Sequence, residues 1–479
     1  MSNLSELLPS GGGQNQVEFV ASGTLPNGKP VVLKSNGTIE VVSETSVSAS
    51  VGSALSIDGP SSNYTRVTML SATKAIAVYL DAGDTDDGYA VALTISGSSI
   101  TAGTPVAFNP AGSYYNRIDK ISSTQAIVVY KDLGNSNYGT SCILTLSGTS
   151  ITAGSEVVFN SGRSDYTTVA VLNSTKAIVV YGDNSNSHQC TACLLTISGS
   201  SITAGSEVGF NSNRGRYFSI TALSETKAIA TFEQHNDTAG KACILDVSGT
   251  TITAGSVQQF TAGAIYNTSV TALSSTKAIV VYQASPHAAA RVLDVSGTTI
   301  TAGSALEYRI GTTSFQNIAK LTSTRAIVSY RDNANNSYPT YATFTISGAT
   351  VTLESTVVIS STASSNNDIS TGESQQAIFV YGDSSNNSNI TARTIQTAYS
   401  ATNLASTNFV GITSKAISNT ATGPITLQGG ISTNQSSLTV GSTYYVQANG
   451  TVSTVSTSPA VNIGKALNAT TLKLKGLSV

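Results

Sequence analysis

Residues 176–181 read Lys-Ala-Ile-Val-Val-Tyr, and the same phrase returns six more times. It is KAIAVY from Lys74, QAIVVY from Gln125, KAIATF from Lys227, KAIVVY from Lys277, RAIVSY from Arg325 and QAIFVY from Gln376. Successive starts lie 51, 51, 51, 50, 48 and 51 residues apart. A fixed period of this size marks a repeat architecture, in which one unit cannot bury its apolar faces alone and neighbours bury them together. The phrase is rich in β-branched residues and apolar on both faces, so it predicts a strand covered on both sides.

Outward from this strand each copy reads as four short strands. The first runs from an aromatic residue to a Leu or Ile, as in Tyr166 to Leu172, and a tight Ser-Thr turn leads into the second. A stretch of Asp, Asn, Ser and Gly follows the second. The third strand, of the type ACILTISG, ends in Ser-Gly at Ser96-Gly97, Ser147-Gly148, Ser198-Gly199, Ser248-Gly249, Ser296-Gly297 and Ser347-Gly348. The fourth is of the type ITAGSEVVF. These are strand and hairpin signals, with no competing helical period. A lone four-stranded meander cannot cover both faces. Stacking such meanders around an axis can, and it leaves only short edges. The expected fold is therefore all-β: a seven-bladed β-propeller with four-stranded blades.

The seventh copy lacks its Ser-Gly turn and fourth strand. SVSASVGSALSI, from Ser46 to Ile57, aligns without gaps with the fourth strand of the third copy, Gly52 matching Gly154 and Ile57 matching Phe159. The last blade is thus expected to be closed by this N-terminal strand. The flanks, 17–45 and 400–479, each carry an Asn-Gly between alternating apolar runs, at Asn36-Gly37 and Asn449-Gly450, a hairpin signal. They predict one small discontinuous β domain with the propeller, residues 46–399, inserted in it. Residues 1–16 contain Leu4, Leu7 and Leu8 followed by Gly11 to Gly13. They read either as a loose terminus or as a docking arm on a glycine tether.

The polar positions are filled by Ser, Thr, Asn and Gly. Only 10% of residues are charged, the net charge is −2 and there is no Trp. No basic footprint for nucleic acid is present, and no stretch approaches a membrane span. MSNLSELLPSGGG has no basic start and no apolar run, so no signal peptide is expected and synthesis in a host cytoplasm is. Cys142, Cys193 and Cys243 share a small apolar repeat slot and read as buried thiols. Cys190 and Cys193 form a CxxC near His188, but no second ligand pair for zinc is visible. Asp84-Thr-Asp86-Asp87-Gly88 does not match a calcium-loop spacing. Neither metal nor cofactor is expected.

In such a meander the tight, near-identical turns fall at one end, and the long loops that differ between copies fall at the other. Variable loops on a rigid scaffold are a common binding surface. Two residue classes gather at that end. One is an aromatic at the entry of the first strand: Tyr64, Tyr115, Tyr166, Tyr217, Tyr266 and Phe315. The other is an Asp after the second strand: Asp81, Asp132, Asp183, Asp332 and Asp383. Tyr among Asn, Asp and Ser suits polar recognition, sugars included. The bland alternatives are packing for the aromatics and turn formation for the Asp residues. Catalysis has little support: His188, His235 and His287 are unmatched between copies, and no nucleophile or phosphate motif occurs. The expectation is not an enzyme.

Units of the form LSSTKAIVVYxD…ISGTTITAGS resemble repeats of structural proteins of tailed bacteriophages and environmental viruses. FVGITSKAIS…LTVGSTYYVQANGTVST resembles a small β module of phage tail-fibre and other virion proteins, in which a flank like VEFVASGTLPNGKPVVLKSNGTIEVV precedes an inserted domain. The resemblance covers nearly the whole chain from residue 17 and carries no catalytic motif. It implies a virion surface protein, oligomeric within the particle, whose small β domain and leucine arm contact other virion proteins. The variable face would then bind a host-surface glycan or protein. The other readings are a capsid or tail decoration protein with no external ligand, and a glycan-cleaving enzyme with a carboxylate pair formed in space.

Overall fold

The computed structural model describes residues 15–57, 62–372, 375–456 and 461–476. Leu4, Leu7 and Leu8 lie outside them. The protein is all-β. Its chain forms two compact units, one made of Met1–Ser48 and Ala398–Val479, the other of Ala49–Thr397.

In the larger unit every KAIVVY-type phrase is the second strand of an antiparallel meander. In the third copy, Lys176–Asp183 pairs on one side with Val157–Asn173 and on the other with Gln189–Ser198. Its alternate side chains enter different cores. Ala177, Val179 and Tyr181 pack toward the second copy, beside Ile127 and Ile143, whereas Ile178 and Val180 pack toward the fourth, beside Ala228 and Leu245. Each sheet is thus sandwiched between its sequence neighbours, which explains why the strand is apolar on both faces. The shared isoleucines Ile127, Ile178, Ile229 and Ile279 are all fully buried.

Two contacts recur from copy to copy. The first residue of the second strand reaches the Ser-Gly turn of the following copy. Lys74 Nζ donates to Gly148 O (2.9 Å), Gln125 Nε2 to Gly199 O (3.3 Å), Lys176 Nζ to Gly249 O (2.6 Å), Lys227 Nζ to Gly297 O (3.0 Å) and Lys277 Nζ to Gly348 O (2.7 Å). Gln376 of the last copy makes the same bond to Gly97 of the first, at 2.8 Å. Arg325 differs because the seventh copy has no Ser-Gly turn; it pairs with Glu354 at 2.7 Å. The second contact is the glycine of the ITAG phrase. A Cβ on Gly103 would lie 2.0 Å from the carbonyl oxygen of Thr149, and one on Gly303 would lie 2.2 Å from that of Ala349. Only glycine allows so close an approach to the neighbouring turn.

The third strand of the seventh copy, Asn389–Gln396, pairs with Ser50–Val51 and Leu55–Ser56, in register Ile395↔Val51 and Thr391↔Ser56. Gly52 sits where the other ITAG glycines sit, with Ser98 O 2.2 Å from a would-be Cβ. The expected segment Ser46–Ile57 is too long at its start. Ser46 and Val47 belong to Glu44–Val47, which pairs with Tyr399–Thr402 in the smaller unit. The change of partner falls at Ser48 and Ala49, between the two strands.

The smaller unit holds a sheet in which the two flanks interleave. Its order is Gln16–Val20, Thr422–Leu427, Phe409–Thr413, Pro30–Leu33 and Ile39–Val41. A second five-stranded sheet comes from the C-terminal flank. Both expected hairpins are present. Gly37 and Gly450 have φ of 81° and 75°, each in the five-residue connection between strands paired Leu33↔Ile39 and Val446↔Val452. No helix among the described residues is long and apolar enough to cross a membrane.

The cysteines are all buried and free. Cys190 faces the core shared with the fourth copy and Cys193 the core shared with the second, because three residues along a strand reverse the face. The CxxC spacing therefore does not bring two sulfurs together. Burial pushes the thiol of Cys193 up to about 11 and those of Cys142 and Cys243 up to about 12.

Candidate functional site

The first strands of the seven copies share one irregularity. In each, the pairing with the second strand skips two residues near its start: between Asn63 and Arg66, Tyr114 and Arg117, Asp165 and Thr168, and likewise onward to Ser364 and Asn367. Such a bulge re-aims side chains. Here it places one residue of most copies in the left-handed region: Tyr64 (φ 49°), Tyr115 (59°), Tyr166 (58°), Tyr217 (51°), Asn267 (53°) and Phe315 (54°). That conformation is uncommon for large side chains, and strain of this kind collects at binding sites. The following Thr ties neighbouring bulges together. Thr167 Oγ1 donates to Tyr115 O (2.9 Å), and Thr268 Oγ1 to Tyr217 O (2.6 Å).

These residues wall one cavity of 180 Å³, together with Thr167, Phe218, Thr268, Gln316, Asn317 and Asn366. The tyrosine rings touch in sequence. Centroid distances are 5.3 Å for Tyr64–Tyr115, 4.9 Å for Tyr115–Tyr166 and 5.2 Å for Tyr166–Tyr217. Burial raises the pKa of all four phenols, so they remain neutral donors and acceptors. Cations lie over two of the walls: Lys131 Nζ is 4.9 Å from the Tyr115 centroid, and the Arg331 guanidinium 5.0 Å from that of Phe315.

Of the aromatics expected here, Tyr64, Tyr115, Tyr166, Tyr217 and Phe315 line the cavity and Tyr266 does not. Tyr266 stands one residue before the bulge slot, paired opposite Gln283 and 42% exposed, and Asn267 takes the slot. The Asp residues do not line the cavity. Asp81 accepts from Gly83 N (2.9 Å), Asp132 from Asn135 N (3.2 Å), Asp183 from Ser185 N (3.0 Å) and Asp383 from Ser385 N (3.0 Å). They hold the loop after the second strand, as Asx turns do. Asp332 instead pairs with Arg309 at 2.9 Å.

The rim near the second to fourth copies is charged. Asp165 meets Lys131 and Arg163, each at 3.2 Å, and His188 lies at 3.9 Å. Arg216 Nη2 is 3.4 Å from His235 Nε2. Arg216 pairs across the sheet with buried Glu233, whose pKa burial raises.

Residues not anticipated from sequence lie two positions deeper on the first strands: Arg66 and Arg117. Both border the aromatic cavity and also a second cavity of 610 Å³ beneath it, which Asp119, Asp368 and Lys320 help to line. Their signal was a charged residue at a repeat position held elsewhere by Thr168, Ser219, Ser269 and Asn317.

No protein-family model and no curated protein matches the chain. Among solved structures, a protein from Lactobacillus plantarum is 11% identical with a TM-score of 0.46, the match covering 72% of this chain and 96% of that one. The Aleuria aurantia lectin, solved with Fucα1-6GlcNAc, is 13% identical with a TM-score of 0.41, covering 62% and 96%. A hypothetical selenium-binding protein from Sulfolobus tokodaii is 7% identical with a TM-score of 0.45, covering 73% and 92%.

Proposed function

We propose that residues 49–397 form one closed seven-bladed β-propeller, completed by Ser50–Val51 and Leu55–Ser56, and that it is the ligand-binding part of a non-enzymatic virion surface protein. The bond from Gln376 to Gly97, identical in kind to those between successive copies, supports the closure. The observation that carries the binding role is the cavity walled by tyrosines held in left-handed backbone. Aromatic faces stack on the apolar faces of sugar rings, while phenol and Asn groups bond hydroxyls at little ordering cost. A strained wall repeated from copy to copy is a preorganised one.

The setting on a tailed-phage particle rests on the resemblance of the repeats and flanks. In that setting the cavity and its variable loops serve attachment to a host-surface glycan. The test is a glycan array probed with the purified chain and with Tyr166→Ala. A discrete set of glycans should bind, and the variant should lose at least about tenfold in affinity, since each stacking contact is worth about 1 kcal/mol or more beyond its buried area. An array with no specific binder would leave the decoration role in its place.

A further inference from the structure

We infer that Arg66 and Arg117 form an anion-receiving pair at the base of the aromatic cavity, and that the ligand it serves is a sugar bearing a carboxylate. The inference rests on the sugar-binding reading above and adds the ligand's charge.

The two arginines occupy the same repeat position in adjacent copies and border the same two cavities. Each is half-buried. Their bonds are few for groups with five donors apiece. Arg66 Nη1 donates to Thr65 O at 2.6 Å, and Arg117 Nη1 donates to Asn116 O at 3.2 Å. Arg66 Nε is buried without a partner. Among the described residues no carboxylate forms an ion pair with either; Lys131 and Arg309, by contrast, are met by Asp165 and Asp332. Asp368, the acid at the same repeat position, accepts from Val67 N at 2.9 Å. Asp119, two residues deeper, is held by Val171 N at 2.7 Å.

Asp368 lines the larger of these cavities and is the one acid whose charge acts on both arginines, but it makes no ion pair with either. Two positive charges thus face one negative charge, and an anion between them offsets the excess. Burial lowers the pKa of both guanidinia, for Arg117 the charge of Arg66 lowers it further, and the charge of Asp368 opposes the shift in each without cancelling it. A planar carboxylate matches the guanidinium fork. The sugar follows from the walls: 180 Å³ is about the room that a single six-membered ring needs. Aromatic faces line it together with the side chains of Asn267 and Asn366, whereas the Gln316 amide is bonded to Tyr308 and Thr313.

The test uses calorimetry on the full chain with matched probes: glucuronate against glucose, galacturonate against galactose, and acetate alone. At least one uronate should bind tenfold or more tightly than its neutral parent, and the preference should fall below twofold in Arg66→Gln/Arg117→Gln. If the double variant does not fold, the wild-type ratios still decide. A neutral hexose binding as tightly as its uronate overturns the inference and leaves the sugar-binding reading standing. Acetate binding as tightly as the uronates assigns the pair to a small free anion and overturns the sugar. No saturable binding of any probe overturns the inference; a glycan array that still finds neutral binders would preserve the broader reading.

Discussion

Asp119 lies on the first strand of the second copy, where its carboxylate accepts from Val171 N at 2.7 Å and from Lys120 N at 2.8 Å. Burial outweighs those bonds and raises its pKa from 3.8 to about 6. The folded protein therefore takes up this proton before the unfolded chain does. Stability from this group should rise as pH falls from about 7 to about 4, and be lost as pH rises through about 6. One pKa unit is about 1.4 kcal/mol, and water in the cavity screens part of it, so the change should be about 1–2 kcal/mol. Asp119→Asn, which removes the titration but keeps an acceptor for only one of the two amides, should flatten this dependence, measured by urea denaturation across the range. An unchanged slope would contradict the burial. At this scale the site was partly legible. The aromatic slot lies ten residues before the first residue of each second strand, from Tyr64 and Lys74 to Asn366 and Gln376. That count selects Asn267 over Tyr266; looking for an aromatic selected the wrong neighbour. The left-handed backbone could not be read, because tyrosine gives no local signal for it.

The second strand and the ITAG glycine show how one element serves two interfaces. The strand supplies alternate side chains to two cores, and the glycine lets the fourth strand lie against the next copy's turn. Gly52 is the version of this glycine on which the pairing of Ser50–Val51 with the last copy depends. Gly52 N donates to Thr394 O at 2.9 Å, and a Cβ would meet both Ser98 O and Thr394 Oγ1 at 2.2 Å. Gly52→Ala should cost about 1–3 kcal/mol through this overpacking. Gly97→Ala, where the added carbon meets nothing within 4 Å, should show only the strain of its positive φ. Thermal melts of the two variants separate these effects; equal losses would count against the packing. The elements were the most legible part of the sequence, since period, turns and alternation agree with one another. The start of the closing strand was not. Residues 44–57 alternate in the same way throughout, and only the partner strand decides where one pairing ends and the other begins.

At the scale of the whole molecule, the loops that differ between copies stand at the end where the aromatic cavity lies, and the near-identical turns at the other. On the proposed virion attachment role, exchanging the loops around Asp183–His188 and Arg214–Tyr217 for their counterparts in another copy should weaken adsorption of particles to host cells while leaving assembly intact. The exchange removes the rim contacts of His188 and Arg216 but keeps the scaffold bonds. Normal adsorption after every such exchange would move the protein to a decoration role. The pairing of Val51 with Ile395 also has a consequence for synthesis. A ribosome makes Val51 first and its partner about 340 residues later, so at about 5–20 residues per second that strand waits roughly 20–70 s. During that time the growing chain carries an open sheet edge that can pair with another nascent copy. Slowing translation should lower the soluble yield, and a circular permutant that begins at the fourth strand of another copy should shift the vulnerable edge rather than remove it.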